Sequence, residues 1–314
     1  MRKTSHESSH RRHSIRSNVT GMTFNNVTVL GAGVLGAQIA FCSAFAGKKV
    51  LSYDINDEAL AAGKQRFDAI GEQMKAELES ANDETIAAAH ENLTQTSDLK
   101  EALANADLVI EAVPENLELK RKVWAEVGQY APETTVFATN TSTLMPSKFA
   151  DATGAPERFL ALHFANHIWI QNTAEIMPHE GTDPKYVDQL VEFAEQINMV
   201  PVPLKREQPG YVLNTLLVPL LSAGMYLLHH DIADPVDIDR DWCNSTGSPR
   251  GPIEIMDLVG VRTLVAVIES NENAPQWQKD FVETTLKPMV AEGRTGLEAG
   301  QGFYTYDANG KIVS

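Results

Sequence analysis

At 314 residues the chain is long enough to hold two domains, each able to bury a core of its own. Its 43% apolar and 22% charged content is that of an ordinary globular protein and excludes disordered and fibrous classes, while two cysteines, Cys42 and Cys243, cannot make a disulfide framework. The formal net charge of -16 argues against nucleic acid and anionic membrane as partners, because the mean field repels phosphate groups.

These properties read as an intracellular, cytoplasmic protein. The longest uncharged stretch, 211–228, reaches only the short limit for crossing a bilayer and contains Asn214, Pro219, Ser222 and Gly224. It is expected to be a helix buried in the core or in a subunit interface, with no membrane partner. Residues 1–21 differ from the rest, with five Arg/Lys, one acid (Glu7), three His and almost nothing apolar. They lack both the apolar stripe of a transit peptide and the hydrophobic run of a secretion signal, so a disordered extension ahead of Met22 is expected.

Regular patterning begins at Asn26. A short β-rich run at 27–30 ends in glycines and leads into the alanine-rich segment 37–46, which reads as strand, tight turn and helix. Residues 49–53 make a second strand, 57–90 is mostly helical with Gly63 and Gly71 as weak points, and 108–113 and 136–139 are further strands of buried type. This alternation implies a parallel, doubly wound sheet. Shorter strands follow at 159–162, 175–177 and 200–204, with a helix at 184–197. After Pro209-Gly210 the character changes, and from 211 to about 290 the pattern is helical. The expected fold class is α/β: a Rossmann-type domain over 22–207, then an all-helical domain over 208–314.

Gly31-Ala32-Gly33-Val34-Leu35-Gly36 is a G-x-G-x-x-G that follows a strand and opens a helix, the context the dinucleotide fingerprint needs. The first glycine makes the turn, the second admits a pyrophosphate to the backbone, and the third lets helix and strand pack closely. The helix N-terminus offers free N–H groups and the positive end of its dipole. Asp54 ends the second strand, where a carboxylate accepts hydrogen bonds from ribose hydroxyls and repels a 2′-phosphate; no Arg or Lys follows within 55–60. NAD rather than NADP is the expected cofactor.

Further segments resemble one family, the 3-hydroxyacyl-CoA dehydrogenases: Asn140-Thr141-Ser142, Leu162-His163-Phe164-Ala165-Asn166, Ala174-Glu175 and Pro209-Gly210-Tyr211-Val212-Leu213-Asn214. The likeness runs from Met22 to near the end of the chain and includes Glu111-Ala112-Val113-Pro114-Glu115-Asn116, Gly251-Pro252 and Gly302-Phe303-Tyr304. It implies that His163 is a general base, since imidazole ordinarily titrates near neutrality. It also implies that Glu175 holds the other ring nitrogen and that Ser142 and Asn214 hydrogen-bond the reacting oxygen. Asn140, Glu115 and Lys120 match positions near the cofactor, Asn166 matches a substrate contact, and a homodimer is implied.

Read singly, each residue has an ordinary structural explanation: a satisfied strand-end histidine, a turn serine, a surface acid, a helix-start asparagine. Together, in family order, they favour catalysis. No metal is expected, because His163 and His167 lie outside any helical pattern and lack a third spaced ligand. A β-hydroxyacid dehydrogenase built on a catalytic lysine is a rival enzyme, which the His163 and Glu175 pairing opposes. A crystallin-like or NAD-sensing protein without turnover is the non-enzymatic alternative.

The chain also departs from the family pattern. Where a Pro-Val-Pro run usually follows Asn166, it has His167-Ile168-Trp169, and Thr215 replaces the Arg usual after Asn214. In this it looks like the diketoreductase branch, whose members reduce compact dicarbonyl compounds. Residues 77–99 contain no Lys or Arg and six acids, so a phosphorylated CoA tail finds few partners there, with Lys64, Arg66 and Lys75 the remaining candidates. Arg250, ahead of Gly251-Pro252, is a candidate to pair with the carboxylate of a small keto acid. The expected substrate is a small 3-keto or 3-hydroxy compound or a CoA thioester.

Overall fold

The structure, a computed structural model, describes residues 24–313, so the extension expected over 1–21 lies outside the described residues. The chain divides into two compact units, the first ending at Tyr211 and the second beginning at Val212.

The first unit opens with β1 (Asn26–Leu30), α1 (Val34–Phe45), β2 (Lys49–Tyr53), α2 (Asp57–Glu77), α3 (Asp83–Asn92), β3 (Leu93–Thr96) and α4 (Leu99–Leu103). It continues with β4 (Leu108–Glu111), α5 (Leu117–Tyr130), β5 (Val136–Thr139), β6 (Phe159–Phe164), β7 (Thr173–Pro178), α6 (Pro184–Gln196) and β8 (Val200–Pro203). The eight strands form one sheet in the order β3-β2-β1-β4-β5-β6-β7-β8. The central strands β4, β5 and β6 are buried at every residue, as strands covered on both faces must be. On one face Phe41, Phe67 and Phe193 anchor a core under α1, α2 and α6; on the other Trp124, Phe137 and Phe159 anchor a second core under α5.

Strand order reverses between β1 and β4, and this switch point is where open α/β sheets bind ligands. All neighbouring pairs are parallel except β6 and β7, which the sequence pattern alone does not separate from the rest. The link between them, 165–172, is too short for the crossover that parallel pairing requires, so the chain turns back as a hairpin. Two expectations need refinement. The helix expected over 57–90 is two helices, α2 capped by the Asn56 side chain and α3 opened by a capping box between Asn82 and Thr85. Gly63 and Gly71 are not weak points but close contacts, since a Cβ would meet Ala32 Cβ at 2.7 Å and Ile86 Cγ2 at 3.0 Å.

The second unit is helical, with α7 (Leu213–His229), α8 (Pro235–Thr246), α9 (Pro252–Val259), α10 (Val261–Ser270), α11 (Gln276–Phe281) and α12 (Lys287–Ala291) around a core that includes Met225, Ile253, Met256 and Phe281. Two buried aspartates tie it together. Asp239 accepts from the N–H groups of Ile253 and Glu254 and from Tyr304 Oη. Asp257 accepts from the N–H groups of Phe303 and Tyr304 and from Tyr306 Oη. No helix among the described residues is long and apolar enough to cross a membrane.

Candidate active site

The nucleotide loop begins where β1 ends. Gly31 has φ 103° and its N–H bonds to Tyr53 O at 2.8 Å, while a Cβ there would meet Ala112 O at 2.7 Å. A Cβ on Gly36 would lie 1.9 Å from Gly31 O, so the third glycine is required by packing. At Gly33 nothing lies within 4 Å of the place a Cβ would take. The three glycines thus divide the work as the fingerprint demands, with the open space at the one a pyrophosphate approaches.

The starts of α2 and α3 carry side-chain caps, but the N-terminus of α1 has none and no acid in its first turn, leaving its N–H groups free for an anion. Val34 is exposed at the first turn, with Leu35 half-buried behind it. Asp54 accepts from Ala32 N at 2.7 Å and from Ile55 N at 2.8 Å, which fixes its carboxylate at the lip of the loop. Open glycine, uncapped helix and fixed acid together fit an adenine dinucleotide.

Beyond β4 and β5 lies a polar cluster. Glu111, the fully buried last residue of β4, accepts from Lys120 Nζ at 2.6 Å, Val113 N at 2.9 Å and Thr139 Oγ1 at 2.7 Å. Lys120 is buried too, and its ammonium also faces Glu115 Oε2 at 3.2 Å and Val113 O at 3.4 Å. Each partner supplies what the other's burial removes. Glu115 Oε1 accepts from Thr141 Oγ1, from Thr143 N at 3.0 Å and Oγ1 at 2.9 Å, and from Ser142 N at 3.2 Å. Burial alone would raise this carboxyl, but the Thr141 hydroxyl, the Lys120 ammonium and Thr143 outweigh it and bring it down to about 2. The carboxylate is therefore the knot that shapes the turn bearing Ser142.

His163 lies near the end of β6 and its register partner on β7 is Glu175, so both side chains leave the same face of the sheet. Nδ1 is 2.9 Å from Glu175 Oε2, and Nε2 is 3.3 Å from Ser142 Oγ. Both residues are buried, with relative exposures of 5% and 3%. Asn140 accepts from Phe164 N at 2.9 Å and so pins the strand next to His163. The Tyr211 ring stacks on the imidazole, with centroids 4.4 Å apart and planes 16° from parallel, and its hydroxyl donates to Thr141 O at 2.6 Å. Burial, reinforced by nearby carboxylates, pushes that phenol up, so it stays a donor.

Ser142, His163, Glu175, Glu115, Lys120 and Asn140 therefore come together within the first unit. Asn166 sits in the loop after β6. Asn214 lies in the first turn of α7, and Arg250, half-exposed, donates its Nε to Glu254 Oε1 at 3.1 Å. His163 and His167 do not share a ligand geometry, since the Nε2 of His167 faces Glu77 instead. Sequence reasoning missed Glu111 as a site residue, although an acid closing an otherwise apolar strand is a signal for a buried pair. It also missed Tyr211 and the Glu77 contact to His167, whose partners come from distant segments.

A nucleotide loop at the switch point, with a histidine, a carboxylate and a serine in line, defines a dinucleotide-dependent oxidoreductase. The sequence matches the 3-hydroxyacyl-CoA dehydrogenase NAD binding domain over residues 26–207 and the C-terminal domain of the same enzymes over 210–306. The chain belongs to the 3-hydroxyacyl-CoA dehydrogenase family, and its cofactor is NAD. It is 32% identical over 289 residues to a mitochondrial hydroxyacyl-coenzyme A dehydrogenase of Sus scrofa, covering 90% of this chain and 91% of the relative. It is 29% identical to a probable 3-hydroxybutyryl-CoA dehydrogenase of Bacillus subtilis, covering 91% and 99%. Among solved structures, a diketoreductase described for substrate-directed dual catalysis of dicarbonyl compounds aligns with a TM-score of 0.87 and 47% identity, covering 91% of this chain and all of that one.

Proposed function

We propose that the chain interconverts a small 3-hydroxy compound and its 3-keto form, with His163 as the general base in oxidation and the general acid in reduction. NAD supplies the hydride acceptor when bound, and NADH the donor. The observation that carries this reading is the line Glu175 Oε2, His163 Nδ1, His163 Nε2, Ser142 Oγ. A carboxylate only accepts, so Nδ1 carries the hydrogen and Nε2 presents its lone pair to the substrate hydroxyl. Taking that proton makes the imidazole cationic in a buried place, and the Glu175 carboxylate offsets the cost. Ser142, held in its turn by Glu115, hydrogen-bonds the reacting oxygen. Lys120 acts by holding Glu115, since its ammonium already has acceptors in Glu111, Glu115 and Val113. Asn214 is assigned a hydrogen bond to the same oxygen on the match of its motif alone.

Two observations favour a compact keto acid or ester over a CoA thioester. Of the bases left to greet a CoA tail, Lys75 is paired with Glu72 at 2.9 Å and Asp83 at 2.8 Å, and Arg66 donates to Ala32 O at 3.1 Å. The diketoreductase likeness points the same way. A homodimer through α7 suits its uncharged, part-exposed surface, where Leu216 is 68% and Val218 48% exposed. The deciding experiment compares NADH-dependent reduction of ethyl acetoacetate and acetoacetyl-CoA by the wild type and His163→Ala. Turnover of the small ester that collapses in the variant is expected. Acetoacetyl-CoA favoured by several orders of magnitude would return the chain to ordinary family chemistry, and near-normal turnover by the variant would remove the base.

A further inference from the structure

The loop 165–172, which joins the strands bearing His163 and Glu175, is held by side chains from two helices outside the sheet. Glu77 is the last residue of α2, where the helix dipole disfavours an acid. Its Oε2 receives both the Nε2–H of His167 and the Nε1–H of Trp169, each at 2.6 Å. The two rings meet edge to face with centroids 4.6 Å apart. From α1, Gln38 Oε1 accepts the backbone N–H groups of His167 at 2.8 Å and Ile168 at 3.3 Å. Ile168 is fully buried and Trp169 nearly so.

His167 has φ 65°, a conformation that a non-glycine residue keeps only where its neighbours impose it. The sequence has no proline in this loop to restrict the backbone in advance. Order here therefore depends on acceptors, and for His167, Ile168 and Trp169 they are one amide on α1 and one carboxylate on α2, while Asn172 at the end of the loop donates to Asn198 O. Burial would raise the Glu77 carboxyl, but the His167 and Trp169 donors prevail and hold it below its ordinary range, so it is ionised at neutral pH.

We propose that Glu77 is a positioning residue for turnover: by clasping His167 and Trp169 it fixes the 165–172 loop, and with it Asn166, as a preformed wall next to His163. This rests on the reading of His163 as base and Asn166 as substrate contact. The clasp touches neither the imidazole of His163 nor the glycine loop, so its loss acts on the keto substrate. A loop released to sample other conformations must be reordered at each binding event, and a displacement of about 1 Å at a reacting centre costs up to ~100-fold in rate.

The test is the reduction of ethyl acetoacetate by Glu77→Ala, Glu77→Gln and Trp169→Phe, with NADH binding followed by its fluorescence and folding by thermal melts. Glu77→Ala is expected to lower kcat/KM by roughly 10- to 100-fold, mostly through KM. Glu77→Gln, whose one amide oxygen can take the place of Oε2 and accept from both rings but without the charge, should fall between. Trp169→Phe, which keeps a ring in the core but loses the N–H, should shift KM in the same direction, and NADH affinity should hold throughout. Should Glu77→Ala fail to fold, the other two variants carry the comparison. Wild-type kcat/KM in the folded variants overturns the proposal, and so does a parallel loss of NADH affinity. Near-normal turnover by His163→Ala would instead remove the reading on which it rests, whatever the Glu77 variants do.

Discussion

His163 and Glu175 are register partners across the antiparallel pair β6 and β7, and their side chains meet at 2.9 Å between Nδ1 and Oε2. The spacing of twelve positions between them in sequence is the length of one hairpin, so pairing and chemistry have a single cause. Removing the base should cost about 10² to 10⁴ in kcat while leaving NADH affinity intact. Glu175→Gln keeps a hydrogen-bonding group and withdraws the charge, so kcat should fall with it. Because the two share one task, His163→Ala with Glu175→Gln should be little worse than His163→Ala alone. Steady-state rates of the four proteins decide it, and losses that simply multiply would separate the two residues.

Asp54 is fixed by two backbone N–H groups at the lip of the glycine loop. A 2′-phosphate brought there meets a carboxylate that cannot swing away. The enzyme should prefer NADH to NADPH in kcat/KM, and Asp54→Ala should narrow the gap by losing NADH efficiency more than by gaining NADPH. Equal efficiency of the wild type with both cofactors would contradict this.

Much of the first unit was legible because its signals are local. Strands β2 and β5 fall where β-branched and aromatic runs place them, and the glycine loop announces itself by spacing. Strand β3 was not legible: Leu93-Thr94-Gln95-Thr96 is polar, half-exposed at the sheet edge and embedded in an acidic stretch, so it owes its conformation to pairing with β2. The clasp of Glu77 was invisible for a related reason. In sequence it is one acid among six, and only the fold brings it to a histidine and a tryptophan ninety residues away. Tyr211 belongs to a motif that the sequence displays, yet its stacking on His163 comes with a left-handed backbone, φ 54°, that sequence does not announce.

The second unit yields a stability prediction. A Cβ on Gly302 would lie 2.0 Å from Asp257 Oδ1 and 2.4 Å from its Cγ. Asp257 cannot retreat without dropping its bonds to Phe303 N, Tyr304 N and Tyr306 Oη, which it makes in a buried place. Gly302→Ala should therefore destabilise by about 1–3 kcal/mol, the usual cost of overpacking. Urea denaturation measures it, and an unchanged midpoint would mean that the aspartate moves freely.

Glu115 should make stability depend on acid in a defined window. Its carboxyl titrates near 2 in the folded chain against an ordinary 4.5, so the folded state holds its proton less tightly than the unfolded state does. Stability from a depressed carboxyl is complete above the unfolded value and is lost as pH falls toward the folded one, because the unfolded chain then takes up the proton first. The contribution should accordingly be full above about pH 5 and fade between roughly 4.5 and 2. Glu115→Gln cannot titrate, and its amide offers an acceptor to Thr143 but no charge to Lys120. The variant should be less stable than the wild type at pH 7, and the difference should shrink steadily through that window, as read by urea denaturation at a series of pH values. Part of the charge is open to solvent, so added salt should weaken the effect without removing it. A stability gap that stayed constant from pH 7 to pH 3 would show that the variant's loss comes from packing, and that the charge at Glu115 does not hold the Ser142 turn.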